Sequence, residues 1–104
     1  MIIVTTSTIA GKEIVETLGL VRGNTIRARH VGKDILAGFK NILGGEIEEY
    51  TKLMGEAREQ AIDRMIERAE ELGANAVVNV RFSTSYIMGA ASEILAYGTA
   101  VVVK

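Results

Sequence analysis

The sequence predicts an α+β fold, with one antiparallel sheet of about four to five strands and a short and a long helix packed on it. Three observations predict this class. β-Branched residues cluster at residues 2–4 and recur through residues 13–29. Apolar residues then repeat every three or four positions across residues 46–72, as on one face of a helix. Residues 75–87 alternate and residues 92–103 are rich in valine and alanine, so the predicted order is β-β-(β)-α-α-β-β.

Length and composition limit the possible functions. The 104 residues suffice for one domain, residues 1–104, and the formal net charge of -1 gives no basic excess to attract nucleic acid. There is no cysteine, which excludes disulfides and thiolate metal sites, and there is one histidine, His30. No apolar run reaches the roughly 18 residues that a membrane span needs. The start lacks a signal-peptide pattern, so we expect a cytoplasmic protein with no membrane partner.

The first third of the chain predicts strands. Residues 2–4 are expected to form a short strand, followed by the hydroxyl residues Thr5 and Thr6. Residues 13–29 predict either two strands or one long bent strand. Gly23-Asn24 is the expected turn or bulge, because glycine inside a strand pattern marks such irregularities.

Two helices are predicted next, a short one over residues 33–43 and a long one over residues 46–72. Gly73 follows the long helix as its expected C-terminal cap. A helix of about 27 residues is about 40 Å long. A compact chain of this size is only about 33 Å across. We therefore expect the helix to extend beyond its own subunit and predict a homo-oligomer.

The last two strands are expected to form an antiparallel hairpin. In the first of them, alternation places Val78, Val80 and Phe82 on one face and the polar residues on the other. Residues 92–103 are apolar on both faces. This pattern predicts a central strand, or a strand covered by another subunit.

The polar face of the predicted strand 75–87 is the main candidate ligand surface. It carries Asn79, Arg81 and Ser83, and a guanidinium group can hold a carboxylate or phosphate through two hydrogen bonds. Thr5 and Thr6 are further candidates. The alternative for the strand residues is a solvated or intersubunit face. The alternative for the threonines is satisfaction of backbone groups at a strand end.

Candidate metal ligands are His30, Glu46 and Glu93, which would have to meet across subunits around a divalent ion. His30 and Glu46 each have a plainer interpretation. His30 is then a surface or capping residue. Glu46 lies in the first turn of the long helix, where the helix dipole favours negative charge.

Several blocks of the sequence together are similar to one family. They are Gly44-Gly45-Glu46-Ile47, Leu72-Gly73-Ala74-Asn75-Ala76-Val77-Val78, Val80-Arg81-Phe82 and Tyr97-Gly98-Thr99-Ala100-Val101. This chain resembles the YbjQ family over nearly its whole length. The resemblance implies a small subunit likened to dodecin that assembles as a ring, notably a pentamer. It also implies the family's heavy-metal-binding label, although a chain without cysteine has few ligands for a soft metal.

Three functional hypotheses follow. The leading one is a ring-forming cytosolic homo-oligomer, pentameric by resemblance, with a binding or scaffold role, an unknown ligand and a contact surface around Arg81. The first alternative is an oligomer that binds a heavy metal or another divalent metal. The second alternative is an enzyme with a site shared between subunits and either His30 or Glu93 as its base.

Overall fold

The computed structural model describes residues 1–28, 46–87 and 91–104. Within these ranges the chain forms four strands and one helix: β1 (Ile2–Ile3), β2 (Ile14–Ala28), α1 (Glu46–Glu71), β3 (Ala76–Ile87) and β4 (Ala91–Val103). The α+β class is confirmed, and the long helix and last two strands begin and end within one residue of their predicted bounds. The predicted short helix, residues 33–43, lies outside the described residues.

The sheet is mixed, with strand order β1-β3-β4-β2. The predicted hairpin of β3 and β4 is confirmed, and β4 is central, between β3 and β2, as its two apolar faces indicated. The prediction of a wholly antiparallel sheet is wrong, because β1 pairs with β3 in parallel. The turn after α1 places Asn75 beside Ile2, whose amide donates to the Asn75 carbonyl at 3.2 Å, so β3 enters the sheet in the same direction as β1.

Strand β2 is one continuous strand of 15 residues, so the two-strand alternative is wrong. Its register shifts lie between Ile14 and Glu16 and between Thr17 and Gly19, not at Gly23. Gly23 has a different role. A Cβ atom there would overlap the Ala61 carbonyl oxygen and the Met65 amide nitrogen of α1, so its missing side chain lets the helix lie directly on the strand.

The main core lies between α1 and one face of the sheet, which we call the helix face. On α1 it contains fully buried Ala57, Ala61, Met65 and Ala69. The hydroxyl of Thr25 on β2 donates to the Ala57 carbonyl at 3.0 Å inside this layer. The sheet contributes the small and medium-sized side chains Val21, Val77, Val80, Ile94, Ala96 and Ala100. The helix packs mainly on β2, less on β4 and barely on β3.

Among the described residues, the opposite face of the sheet, which we call the open face, is covered only at one end. There, side chains from the N-terminal segment and the start of β2 pack on a second core of Ala76, Val78, Val101 and Val103; they are Ile2, Val4, Ile9 and Ile14. The turn at Ala10–Gly11, with the Lys12 amide donating to the Ile9 carbonyl at 3.1 Å, brings this segment back towards β2. The rest of the open face has no comparable cover within the described part of the chain.

The end of α1 has the predicted glycine cap. Gly73 has a φ of 87°, and the Ala74 amide donates to the Ala69 carbonyl at 3.0 Å while the Gly73 amide donates to Glu70 at 2.9 Å. These two bonds define a Schellman motif. Asn75 then holds the next turn, because its side chain accepts from the Val103 amide and donates to the Val103 carbonyl, both at 2.8 Å.

The subunit is longer than the compact globule from which the overhang of α1 was predicted. The subunit measures 54 × 21 × 17 Å, whereas 26 helical residues span about 39 Å. The expected diameter of about 33 Å assumed a compact globule, but strands of 12 to 15 residues make this subunit long and thin. Within the described ranges, no helix combines the length and the apolarity needed to cross a membrane.

Replacing Gly23 with alanine should lower the free energy of unfolding by about 2 kcal/mol, because the added methyl group collides with main-chain atoms of α1. The matched control is Gly55→Ala, where the new Cβ meets only an Arg58 Nη2 atom at 3.9 Å. That variant should gain about 1 kcal/mol in helix stability. Thermal and urea unfolding at fixed protein concentration compare the two. Equal effects would contradict the proposed close approach at Gly23.

Candidate functional site

A β-bulge in β3 shapes the predicted ligand surface. The register passes from Val78 opposite Thr99 to Arg81 opposite Tyr97, so β3 carries one more residue than β4 here. Asn79 lies in this bulge with a φ of 54°, in the left-handed region. The predicted alternation therefore breaks. Val78 and Arg81 lie on the open face, whereas Val80 is buried in the core on the helix face.

The N-terminal segment runs beside this bulge and is bonded to it. The Asn79 amide donates to the Thr6 carbonyl at 2.9 Å, and the Val80 amide donates to the Val4 carbonyl at 3.0 Å. The Nη1 atom of Arg81 donates to the Thr5 carbonyl at 2.8 Å and to the Val80 carbonyl at 2.9 Å. The structure thus brings together four of the candidate ligand residues, Thr5, Thr6, Asn79 and Arg81.

These residues keep different amounts of hydrogen-bonding capacity. The Thr6 hydroxyl donates to the Thr8 carbonyl at 2.6 Å, which matches the structural alternative for this threonine. Arg81 is exposed, and both bonds described above use its Nη1 atom, whereas a guanidinium group offers five N–H donors. Ser83 is exposed two residues farther along β3, opposite Leu95.

Of the three candidate metal ligands, only Glu93 has a described side chain. It lies on β4, half-buried, and accepts a hydrogen bond from the Asn24 side chain at 3.3 Å. Glu46 is the first residue of α1, but its side chain is outside the described set, as is the whole of His30. Among the described residues, no three histidine, aspartate or glutamate side chains are grouped so that they could hold a metal ion.

The sheet register adds two residues that sequence reasoning did not select. Arg22 of β2 lies opposite Tyr97 of β4, and Tyr97 lies opposite Arg81 of β3. The three residues form one row across the open face. The spacing of residues along each strand indicates which of them share a face, but only the pairing of three distant segments shows that they form a row.

The full chain is similar to one family and its relatives. The YbjQ family model described as "Putative heavy-metal-binding" matches residues 1–104. A UPF0145 protein of Methanosarcina acetivorans is 64% identical over 101 residues, covering 97% of this chain and 95% of the relative. A UPF0145 protein of Dehalococcoides mccartyi is 61% identical over 104 residues, covering 100% of both chains.

A solved structure has the same fold. It is the crystal structure of a protein with unknown function, from the DUF74 family, of Pediococcus pentosaceus. It matches with a TM-score of 0.68 and 17% identity, over 100% of this chain and 98% of the other. At that identity the likeness supports the fold alone.

Substitutions at Asn79 should separate a backbone role from a ligand role. Asn79→Gly should leave stability unchanged or slightly raised, because glycine adopts a positive φ without strain. Asn79→Val should cost about 1–2 kcal/mol, because a β-branched residue is strained there. Urea unfolding measures both. If the two variants are equally destabilised, the side-chain amide matters more than the left-handed backbone, and our structural assignment of Asn79 is wrong.

Proposed function

The chain belongs to the YbjQ family, and we propose that it is a homo-oligomeric, ring-forming binding or scaffold protein that uses the open face as its contact surface. The ring implied by the resemblance is a pentamer, and the lack of a signal-peptide pattern favours the cytoplasm as its location. One observation carries the proposal: within the described residues, much of the open face has no cover although it contains large apolar side chains. Leu20 is 69% exposed and Ile26 is 57% exposed.

Both of these side chains lie on β2, an edge strand, at positions opposite Thr99 and Glu93 of β4. A sheet face that carries apolar residues is normally packed against another layer. Burying a side chain of this size contributes about 1.5–3 kcal/mol relative to leaving it in water. The edge of the open face at β2 therefore supports contact with a second copy of the chain.

The polar part of the same face supports the binding role. Arg81, Ser83 and Ser85 lie along β3, and all three are exposed. When identical subunits form a closed ring, each surface of one subunit is repeated around the ring. A ligand held near Arg81 would then lie at the margin of each contact between neighbouring subunits.

The alternative of a metal-binding oligomer is favoured only by the family's description. Soft metals prefer thiolate and imidazole ligands, and this sequence has no cysteine and one histidine. One subunit therefore does not supply the ligand set of a heavy-metal site. What remains is a site where His30 and acidic groups of several subunits meet. The enzyme alternative would likewise need a site between subunits, with His30 or Glu93 as its base.

Sedimentation velocity and light scattering at micromolar concentration should show one discrete species, near 56 kDa for five subunits of 11.2 kDa each. The double variant Leu20→Lys, Ile26→Lys should dissociate, because burying two ammonium groups at a contact is costly. The control is Leu72→Lys, since Leu72 is 49% exposed but follows the end of α1. A monomeric wild-type protein would refute the proposal.

Titration with cadmium, zinc or copper(II) salts should leave the melting temperature unchanged, because a metal that binds the native state would raise it. Elemental analysis of the purified protein tests the same point without added metal. The metal alternative gains support instead if a metal-dependent rise occurs and is lost in both His30→Ala and Glu93→Gln.

A further inference from the structure

The row Arg22–Tyr97–Arg81 places two positive charges on either side of one aromatic ring. Each arginine lies directly opposite Tyr97, on the strands that flank β4. Neighbouring strands are about 4.8 Å apart, so the two arginine Cα atoms are about 10 Å apart. Both arginines are exposed and Tyr97 is half-buried. The Arg22 side chain is long enough for its guanidinium group to reach the space above the ring. The Arg81 guanidinium group is held through Nη1 at the carbonyl oxygens of Thr5 and Val80, and these two bonds leave its other N–H donors for a ligand.

Neither arginine has a carboxylate partner within the described ranges. In the described part of the chain, the Arg81 side chain bonds to the carbonyl oxygens of Thr5 and Val80. The acid nearest along β4 on the open face is Glu93, four residues from Tyr97, or about 13 Å. Its carboxylate already accepts a hydrogen bond from Asn24. The two positive charges therefore have no counter-charge from the row or from that glutamate.

The positions beside the row are neutral, and three of them can form hydrogen bonds: Thr99 on one side, and Asn24 and Ser83 on the other. The remaining three, Leu20, Val78 and Leu95, are apolar. Hydroxyl and amide groups beside an arginine can help it to bind an oxyanion, because they donate hydrogen bonds without adding charge.

From this arrangement we propose that the Arg22–Tyr97–Arg81 row is a binding site for a small oxyanion ligand, one that presents a phosphate or carboxylate group. Arg22 and Arg81 hold the oxyanion from two sides through their N–H donors, and Tyr97 supplies the floor of the site. The inference rests on the proposed binding role. It adds that the ligand is negatively charged and that it binds at this row of the open face.

Isothermal titration with two probes, pyrophosphate and citrate, tests this site and separates phosphate from carboxylate chemistry. Wild-type protein should bind at least one probe saturably, and binding should weaken as the salt concentration rises. Arg22→Gln and Arg81→Gln should each weaken it roughly tenfold, since a charge-assisted bond is lost. Arg81→Lys should recover only part of the loss, because lysine lacks the planar fork.

Arg58→Gln is the matched control, because Arg58 is exposed on α1 and not on the sheet. It should bind the probes as the wild type does. Arg22→Gln keeps the test independent of folding, because no hydrogen bond of the Arg22 side chain ties it to another described residue, whereas Arg81 also fixes the N-terminal segment.

Three results would overturn the proposal: no saturable binding of either probe, binding that is unchanged in both glutamine variants, or dissociation of the oligomer in Arg22→Gln. The last result would make the row a contact between subunits instead of a ligand site. Sedimentation of the same samples separates the two proposals. An intact oligomer that binds neither probe rejects only the oxyanion site, whereas a monomeric wild-type protein rejects the ring.

Discussion

The close contact of α1 with β2 is the constraint on which the rest of the subunit depends. Gly23 has no side chain, and Ala57 and Ala61 have small ones, so helix and strand approach until their backbones nearly touch. The buried Thr25 hydroxyl bonds to the helix at the same place. This contact draws the helix over β2 and β4 and away from β3. The one described helix packs on the helix face. It therefore does not cover the apolar residues of the open face, and any cover for them must come from elsewhere.

The bulge at Asn79 determines which side chains reach the open face. If β3 alternated strictly from Val78 onward, Val80 would lie on the open face and Arg81 on the helix face, so a charge would enter the core and a valine would face water. The left-handed backbone of Asn79 and its bond to Thr6 hold the bulge in place. The exposure of Arg81 is therefore a consequence of main-chain geometry. The carbonyl oxygens of Thr5 and Thr6 stabilise this geometry, because they accept hydrogen bonds from Arg81 and from the Asn79 amide.

Local signals in the sequence predicted α1, β3 and β4 to within one residue, because periodicity and the Gly73 cap act over a few positions. The predictions that failed concern features that depend on segments far apart in the chain. Gly23 resembles a turn residue locally, but the reason for it is a helix that begins more than twenty residues later. The parallel pairing of β1 and the row from Arg22 to Arg81 depend on register between segments far apart in the chain. Four of the candidate ligand residues, Thr5, Thr6, Asn79 and Arg81, nevertheless lie side by side in the structure. They could be chosen from the sequence because local patterns indicate where a strand ends and which of its faces is polar.

The charge of the open face bears on which ligand this surface can hold. Two unit charges about 10 Å apart, the distance between the two arginine Cα atoms, repel each other by only about 0.4 kcal/mol in water, but by about 1.7 kcal/mol at an effective dielectric constant of 20. A neighbouring subunit that covers Leu20 and Ile26 would displace water from the same face and raise this cost. A metal ion placed there would add to the repulsion, whereas an oxyanion between the arginines would remove it. If a neighbouring subunit covers this face, an oxyanion between the two arginines would therefore lower the cost of that contact, and a metal ion between them would raise it.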